Sequence, residues 1–198
     1  PEQVETNGQS NGWGAQLAVD SNGDVIAVWH EDHGTGLNIW SNRYTSGGGW
    51  GTPVLIEADD TADAGNPLLT ADPTGHIMAV WTQYLSTSRA FWSNRYTPSM
   101  GWGSPELLDM GSLGGNVRLA ADQTGHVTAV WTKAGDIWSN RYTPGVGWGN
   151  PTLIDVGNAA GPMRAQAVGV SSNSDVIAVW NQSGTSGGNK WSIIRSSR

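Results

Sequence analysis

The sequence predicts an all-β protein made of four copies of one unit, and three observations predict it. The stretch IWSNRYTSGGGWGTPVLIE (Ile39 to Glu57) returns as FWSNRYTPSMGWGSPELLD (Phe91 to Asp109) and as IWSNRYTPGVGWGNPTLID (Ile137 to Asp155), with a worn fourth copy, KWSIIRSSR, at Lys190 to Arg198. No segment sustains a 3.6-residue apolar period over ten residues, so no helix is expected. The 198 residues include 28 glycines, 9 prolines and 12 tryptophans, and Gly-rich turns between short apolar runs are a composition of strands and hairpins.

Each copy opens on a proline: Pro1, Pro53, Pro105 and Pro151, at spacings of 52, 52 and 46 residues. The units are therefore 1–52, 53–104, 105–150 and 151–198, within a single domain of 1–198, and a period near 50 is that of arrays and propellers. Every unit reads as four strands. The first is PEQVE, PVLIE, PELLD or PTLID. Proline cannot donate to a ladder, which places this strand at a sheet edge. The acid four residues on (Glu5, Glu57, Asp109, Asp155) fits an edge blunted by charge.

The second strand (QLAVD, LLTAD, RLAAD, AQAVGV) turns into the third through D-x-x-G: Asp20 to Gly23, Asp72 to Gly75, Asp122 to Gly125. An Asp side chain bonds amides two residues on and glycine supplies positive φ, so this is a tight hairpin. The last unit has Ser171 and Ser174 there. The third strand (DVIAVW, HIMAVW, HVTAVW, DVIAVW) is apolar throughout and belongs mid-sheet, buried on both faces. The fourth is the WSNRYT strand.

Four-stranded sheets of this kind stack face to face around an axis. The predicted architecture is a β-propeller, four blades of four antiparallel strands, with the strand Pro1 to Glu5 closing the last blade beside Trp191. The alternative is half of an eight-bladed ring made by two chains. The repeat resembles the Trp-rich blades of bacterial secreted propellers, and W-x-x-x-Y followed by G-W-G is loosely similar to propeller lectins of the Photorhabdus type. D-x-x-G-x-x-x-A-V-W is similar to the Asp-box of sialidase-like propellers but has one residue more between Asp and Gly, so no sialidase residue is carried over.

Formal net charge is −7, with two lysines and scattered arginines. No basic stripe is present to follow a phosphate backbone, so nucleic acid is not an expected partner. There are no cysteines, which removes disulfides, thiolate ligands and thiol catalysis. No apolar run approaches the ~20 residues of a helical membrane span. The start at Pro1, with no signal peptide, reads as a mature or trimmed product, and the composition fits a protein outside the cytoplasm, extracellular or periplasmic.

The eight repeated tryptophans Trp29, Trp81, Trp131, Trp180, Trp40, Trp92, Trp138 and Trp191 are expected in the blade-to-blade core. Arg43, Arg95 and Arg141 each lie fourteen residues before an acid, Glu57, Asp109 and Asp155, and cross-strand ion pairs are expected. The last unit places Ile194 at the Arg position and should lack one.

The candidate ligand contacts are the G-W-G tryptophans Trp50, Trp102 and Trp148, with Tyr44, Tyr96 and Tyr142 beside them. Like-placed rings in loops of a rigid frame suit stacking on sugar faces; equally, each Trp could plug the gap to the next blade.

The loops after A-V-W vary most and would be the face of a protein-interaction scaffold. One of them offers His30, Glu31, Asp32 and His33 as possible metal donors, but in a single unit only, so no metal is expected. His76 and His126 read as solvated turn residues. No G-x-S-x-G, P-loop or H-E-x-x-H is present, so no catalytic residue or cofactor is assigned, while a site assembled across blades would leave no local motif. The expected function is a non-catalytic, multivalent carbohydrate-binding module. An interaction scaffold is the alternative, and a carbohydrate-active enzyme the third reading. The partner would be a glycan or a surface protein, and the chain a monomer or a ring-completing homodimer.

Overall fold

Each D-x-x-G segment folds because its aspartate satisfies the turn from inside. In the computed structural model of the chain, Asp20 Oδ1 accepts from the amides of Asn22 (2.8 Å) and Asp24 (3.1 Å). Asp72 does the same for Thr74 and His76, and Asp122 for Thr124 and His126. In the fourth unit the hydroxyl of Ser171 takes over, accepting from Asn173 (3.2 Å) and Asp175 (3.1 Å). Gly23, Gly75 and Gly125 sit at φ of 80°, 87° and 83° by the turn's demand. Gly75 carries a second constraint: a Cβ there would lie 2.2 Å from the Ser21 amide nitrogen, so two successive turns touch.

The structure describes residues 2–5, 12–34, 36–58, 62–155, 163–183 and 189–196, and among them no helix occurs. The chain divides into two compact units, Pro1–Leu107 and Leu108–Arg198. In the first unit, β1 (Gly12–Val19), β2 (Val25–Asp32) and β3 (Leu37–Thr45) form an antiparallel meander. Its outer edge is shared by β4 (Gly49–Trp50) and β5 (Val54–Leu55), both paired with β3.

The second sheet repeats this with β6 (Ala64–Ala71), β7 (Ile77–Tyr84), β8 (Arg89–Thr97), β9 (Gly101–Trp102) and β10 (Glu106–Gly111), which starts in this unit. The second unit holds β11 (Leu113–Ala121), β12 (Val127–Lys133), β13 (Asp136–Thr143), β14 (Gly147–Trp148) and β15 (Thr152–Asp155). A last sheet follows, β16 (Met163–Val170), β17 (Val176–Ser183) and β18 (Asn189–Ser196). The all-β organisation in antiparallel sheets is thus as expected, and the proline-led stretch is the outer strand: Leu55 faces Trp40, and Leu153 faces Trp138.

The innermost strand of every sheet carries a bulge, between Trp13 and Gln16, Gly65 and Leu68, Leu113 and Val117, and Ala165 and Ala167. Bulges sharpen local twist, which suits strands crowded toward an inner edge. The A-V-W strands are buried as predicted: Trp29, Trp81, Trp131 and Trp180 are at most 6% exposed. In the first unit Ile26, Val28, Ile77, Ala79 and Trp81 form one core with Ile39 and Ile56. In the second, Val130, Ile137, Ala178 and Trp180 do so. The WSNRYT tryptophans depart from expectation. Trp40, Trp92 and Trp138 are only partly buried, because they face the short outer strand; the side chain of Trp191 lies outside the described residues.

Residues 2–5 form no strand. Yet the Val4 carbonyl accepts from Asn42 Nδ2 (2.7 Å), as the Ile56 carbonyl accepts from Asn94 Nδ2 (2.9 Å). The N-terminal segment therefore stands against the first sheet as the outer stretch of the first sheet stands against the second. The last sheet has three strands among the described residues. Pro1 lies outside them.

Candidate functional site

The G-W-G segments build three identical aromatic clasps. Positive φ at Gly49, Gly101 and Gly147 (76°, 81° and 99°) turns the chain back on the WSNRYT strand. This puts Trp50 opposite Tyr44, Trp102 opposite Tyr96 and Trp148 opposite Tyr142. The rings meet edge to face, with centroids 5.5, 5.5 and 5.6 Å apart and planes at 66°, 67° and 71°. That is the geometry the ring quadrupoles favour. Tyr96 and Tyr142 are buried and Tyr44 half-buried, while each Trp keeps part of its surface open. The structure so brings the six candidate residues together in pairs.

One pair opens on a groove. In the first unit a cavity of about 570 Å³ lies between the two sheets. Tyr96 and Trp102 form one wall, and Ile26, Arg43, Thr52 and Leu55 line the other. The second unit has a cavity at the same repeat positions, lined by Thr128, Asn140, Arg141, Thr152 and Val176, but it is smaller, about 230 Å³. It lacks an aromatic wall, because the fourth sheet places Ser196 opposite Val176 where the second places Tyr96 opposite Ile77. Trp50, Trp148, Tyr44 and Tyr142 line neither groove.

The arginines correct the expected pairing. Arg95 Nη2 lies 2.9 Å from Asp72 Oδ2, Arg141 Nη2 lies 2.9 Å from Asp122 Oδ2, and Arg43 bonds Asp24 with Asp20 3.8 Å away. Their partners are the turn acids of their own sheets and not Glu57, Asp109 and Asp155. The fourth unit is corrected too: Arg195 faces Ile177 as Arg43 faces Ile26, so Arg195, not Ile194, holds the arginine register. The WSII copy is displaced by one residue relative to WSNR.

His76 and His126 are less solvated than expected. Each ring lies 3.3 Å from its turn aspartate and against a threonine hydroxyl. Burial by itself would raise the Asp122 carboxyl, but bonds from the Thr124 hydroxyl and amide and the His126 amide, with the nearby His126 ring, outweigh it and hold the group at about 2. Asp72 is lowered against the same opposition.

In the groove, burial raises the Tyr96 hydroxyl; Arg43 opposes this, and Asp20 and Asp24 add to it. The phenol therefore stays protonated beside the ion pair.

The proline-led acids are not exposed edge charges either. Asp109 accepts from Trp131 Nε1 (3.0 Å) and Lys133 Nζ (2.7 Å). Asp155 accepts from Trp180 Nε1 (2.9 Å), and Glu57 from the Ile39 amide (3.0 Å). Glu57 and Asp109 are 7% and 8% exposed. At the N-terminus the same position, Glu5, meets another acid: its carboxyl bonds Glu31, which takes the Trp29 indole N–H (2.6 Å).

The loop of possible metal donors points its side chains in different directions. Glu31 turns inward, Asp32 caps the Gly34 amide (2.7 Å), His33 stacks on Trp40 at 4.4 Å, and His30 lies near Trp13. Among the described residues no group of three or more His, Asp or Glu is placed to hold a metal ion.

Two functions of the sequence were missed. Asn42, Asn94 and Asn140 are buried, and their amides bond the Gly51, Gly103 and Gly149 carbonyls. Their recurrence was visible, but a polar residue beside two candidate contacts did not by itself signal burial. The position two residues after the A-V-W Trp (Glu31, Gln83, Lys133, Gln182) was overlooked because it varies.

No protein-family model matches the sequence, and no curated protein matches it. In three dimensions the chain is similar to a protein of unknown function from Dyadobacter fermentans (TM-score 0.64, 13% identity), 98% of this chain matching 67% of that one. It is similar to a Hadza microbial sialidase (TM-score 0.56, 12% identity, 93% of this chain on 44% of that one). It is also similar to an ulvan lyase of a new polysaccharide lyase family (TM-score 0.56, 13% identity, 94% on 56%). At these identities the likeness is one of fold, and the chain spans 44% to 67% of the length of these proteins.

Proposed function

We propose that the chain is a non-catalytic carbohydrate-binding module of the lectin-like, multivalent kind. The observation that carries this reading is the first-unit groove, where the Tyr96–Trp102 clasp faces Thr52 and Arg43, itself bonded to Asp24, across a space of about 570 Å³. An open indole face beside charged and hydroxyl groups offers a sugar both of its needs, a flat apolar surface and directional hydrogen bonds. A sialidase and an ulvan lyase, proteins of similar fold, are support from outside the chain. The clasps Tyr44–Trp50 and Tyr142–Trp148 repeat the geometry and extend the reading to as many as three sites, whose linkage would raise weak single-site affinity.

The same proposal carries the four-bladed ring closed by residues 1–5 against the strand around Trp191. Completion of an eight-bladed ring by a second copy is the other assembly. It also carries a place outside the cytoplasm and the likeness to propeller lectins.

The test is a glycan array with the purified chain, followed by tryptophan fluorescence titration of any glycan bound. Trp102→Ala is expected to weaken binding about tenfold or more, the loss of one aromatic contact of about 1.4 kcal/mol. A Trp102→Ala protein that binds as tightly as the parent refutes the site.

A second reading, an enzyme acting on carbohydrates, has one observation of its own: the apposed carboxyls of Glu5 and Glu31. Release of reducing ends from the bound glycans, lost in Glu31→Gln, would move the function there.

A further inference from the structure

We infer that the first-unit groove takes a neutral saccharide and discriminates against sugars bearing carboxylate or sulfate groups. This rests on the carbohydrate reading and adds the ligand class. An anionic sugar is normally held by a guanidinium or ammonium with free donors, ideally the two-pronged face of an arginine. The groove has one cation, Arg43. Its Nη2 is bonded to Asp24, and Asp20 stands 3.8 Å from the same nitrogen. Glu57 lines the groove as well. Arg43, Asp20, Asp24 and Glu57 together carry one formal positive and three formal negative charges, and the chain as a whole is at −7.

An incoming carboxylate would find the outer Nη2 of the arginine engaged by Asp24, its unpartnered Nε buried out of reach, and net negative charge beyond. An uncharged ring meets no such repulsion. Its hydroxyls both donate and accept, so they can bond the carboxylate oxygens, the Thr52 hydroxyl and the Tyr96 phenol. Its C–H face can lie on Trp102. The second unit repeats the neutralisation, with Arg141 Nη2 2.9 Å from Asp122. The ion pair therefore recurs in the repeat, while the aromatic platform beside it is in the first unit.

The experiment is an array of paired glycans, each neutral member beside its sialylated, uronate or sulfated counterpart, read with the parent chain, with Trp102→Ala and with Asp24→Asn. Binding to neutral members at least tenfold above their charged counterparts, lost in Trp102→Ala, is the expected result. Asp24→Asn, which frees Arg43, is expected to narrow that ratio severalfold. Tighter binding to the charged members overturns the neutral assignment and leaves the carbohydrate reading standing. No binding to any glycan by the folded parent chain overturns the carbohydrate reading and this inference with it. An unchanged ratio in a folded Asp24→Asn protein removes the Arg43–Asp24 pair as its cause. Should that variant not fold, the paired comparison on the parent chain decides the neutral assignment alone.

Discussion

Asp122 shows how much one side chain of this repeat does. It caps a hairpin through two amides, takes a threonine hydroxyl, and holds Arg141. Its carboxyl ionises at about 2, below the usual value near 3.9, so the folded chain binds the proton less readily than the unfolded one. Its contribution to stability is therefore complete above about pH 4 and is lost as pH falls through about 2. Asp122→Asn is expected to cost about 1–2 kcal/mol in urea unfolding at pH 7, and to cost much less near pH 2. An equal loss at both pH values would place the effect in the turn's shape and not in the charge.

The turn was legible in the sequence, since Asp and Gly act on residues two to four away. The arginine's partner was not, and distance explains why. The sequence pointed to the acid fourteen residues ahead, and the partner is the acid of the preceding turn. Glu57 lies beside Ile39, and Ile39 is four residues from Arg43 on the same strand, about 13 Å at ~3.3 Å per residue. The split outer strand carries the edge acid to the far end of β3, leaving the guanidinium to the turn.

Among the elements, the outer strands decide what each sheet meets next. The acid at their end reaches the indole of the following A-V-W strand in Asp109–Trp131 and Asp155–Trp180. Lys133 neutralises the first of these. At the N-terminus the corresponding acid is Glu5, bonded to Glu31, with His33 Nε2 3.5 Å from Glu31. The bond to Glu31, then partial burial and the Glu31 charge raise the Glu5 carboxyl, while Gln3 and His33 act the other way.

A raised folded value means that this contact stabilises at acid pH, fully below the ordinary glutamate range, and is lost as pH rises through the raised value. The N-terminal segment is expected to hold most firmly in mild acid. Glu31→Gln should raise the melting temperature at pH 8 more than at pH 4; the opposite order would show that the two carboxyls do not share a proton. Nothing in the sequence pointed here, because the chemistry lies between a terminus and a position that is glutamate in the first unit only, with glutamine, lysine and glutamine in the others.

For the molecule as a whole, the repeat, the antiparallel sheets and the mid-sheet burial of A-V-W were all legible, because they depend on period and polarity alone. The grooves were half legible. The clasp residues recur in the sequence, but whether a clasp opens on a space depends on the neighbouring sheet, and the fourth sheet lacks its aromatic pair. The proposed ring makes a direct demand on residues 1–5, whose Val4 carbonyl already serves Asn42. Deleting them is expected to lower the melting temperature by several degrees, since the Val4–Asn42 hydrogen bond and the packing of the segment are removed at once. Light scattering of the intact chain in solution separates the two assemblies, one mass for the single ring and twice that for the shared one. A truncated chain that melts with the parent would mean that the ends are not joined through this segment.

A chain that repeats itself is at risk of assembling in the wrong order, because nearly identical pieces are interchangeable partners during folding. The variable position after each A-V-W strand sets what the border offers its neighbour. Glu31, Gln83, Lys133 and Gln182 stand at one ladder position; Lys133 donates to Asp109, whereas Glu31 meets Glu5, so a first piece set in the third place would leave Asp109 without its ammonium. The second and fourth pieces both carry glutamine there, so charge at this border tells only the first and third pieces apart.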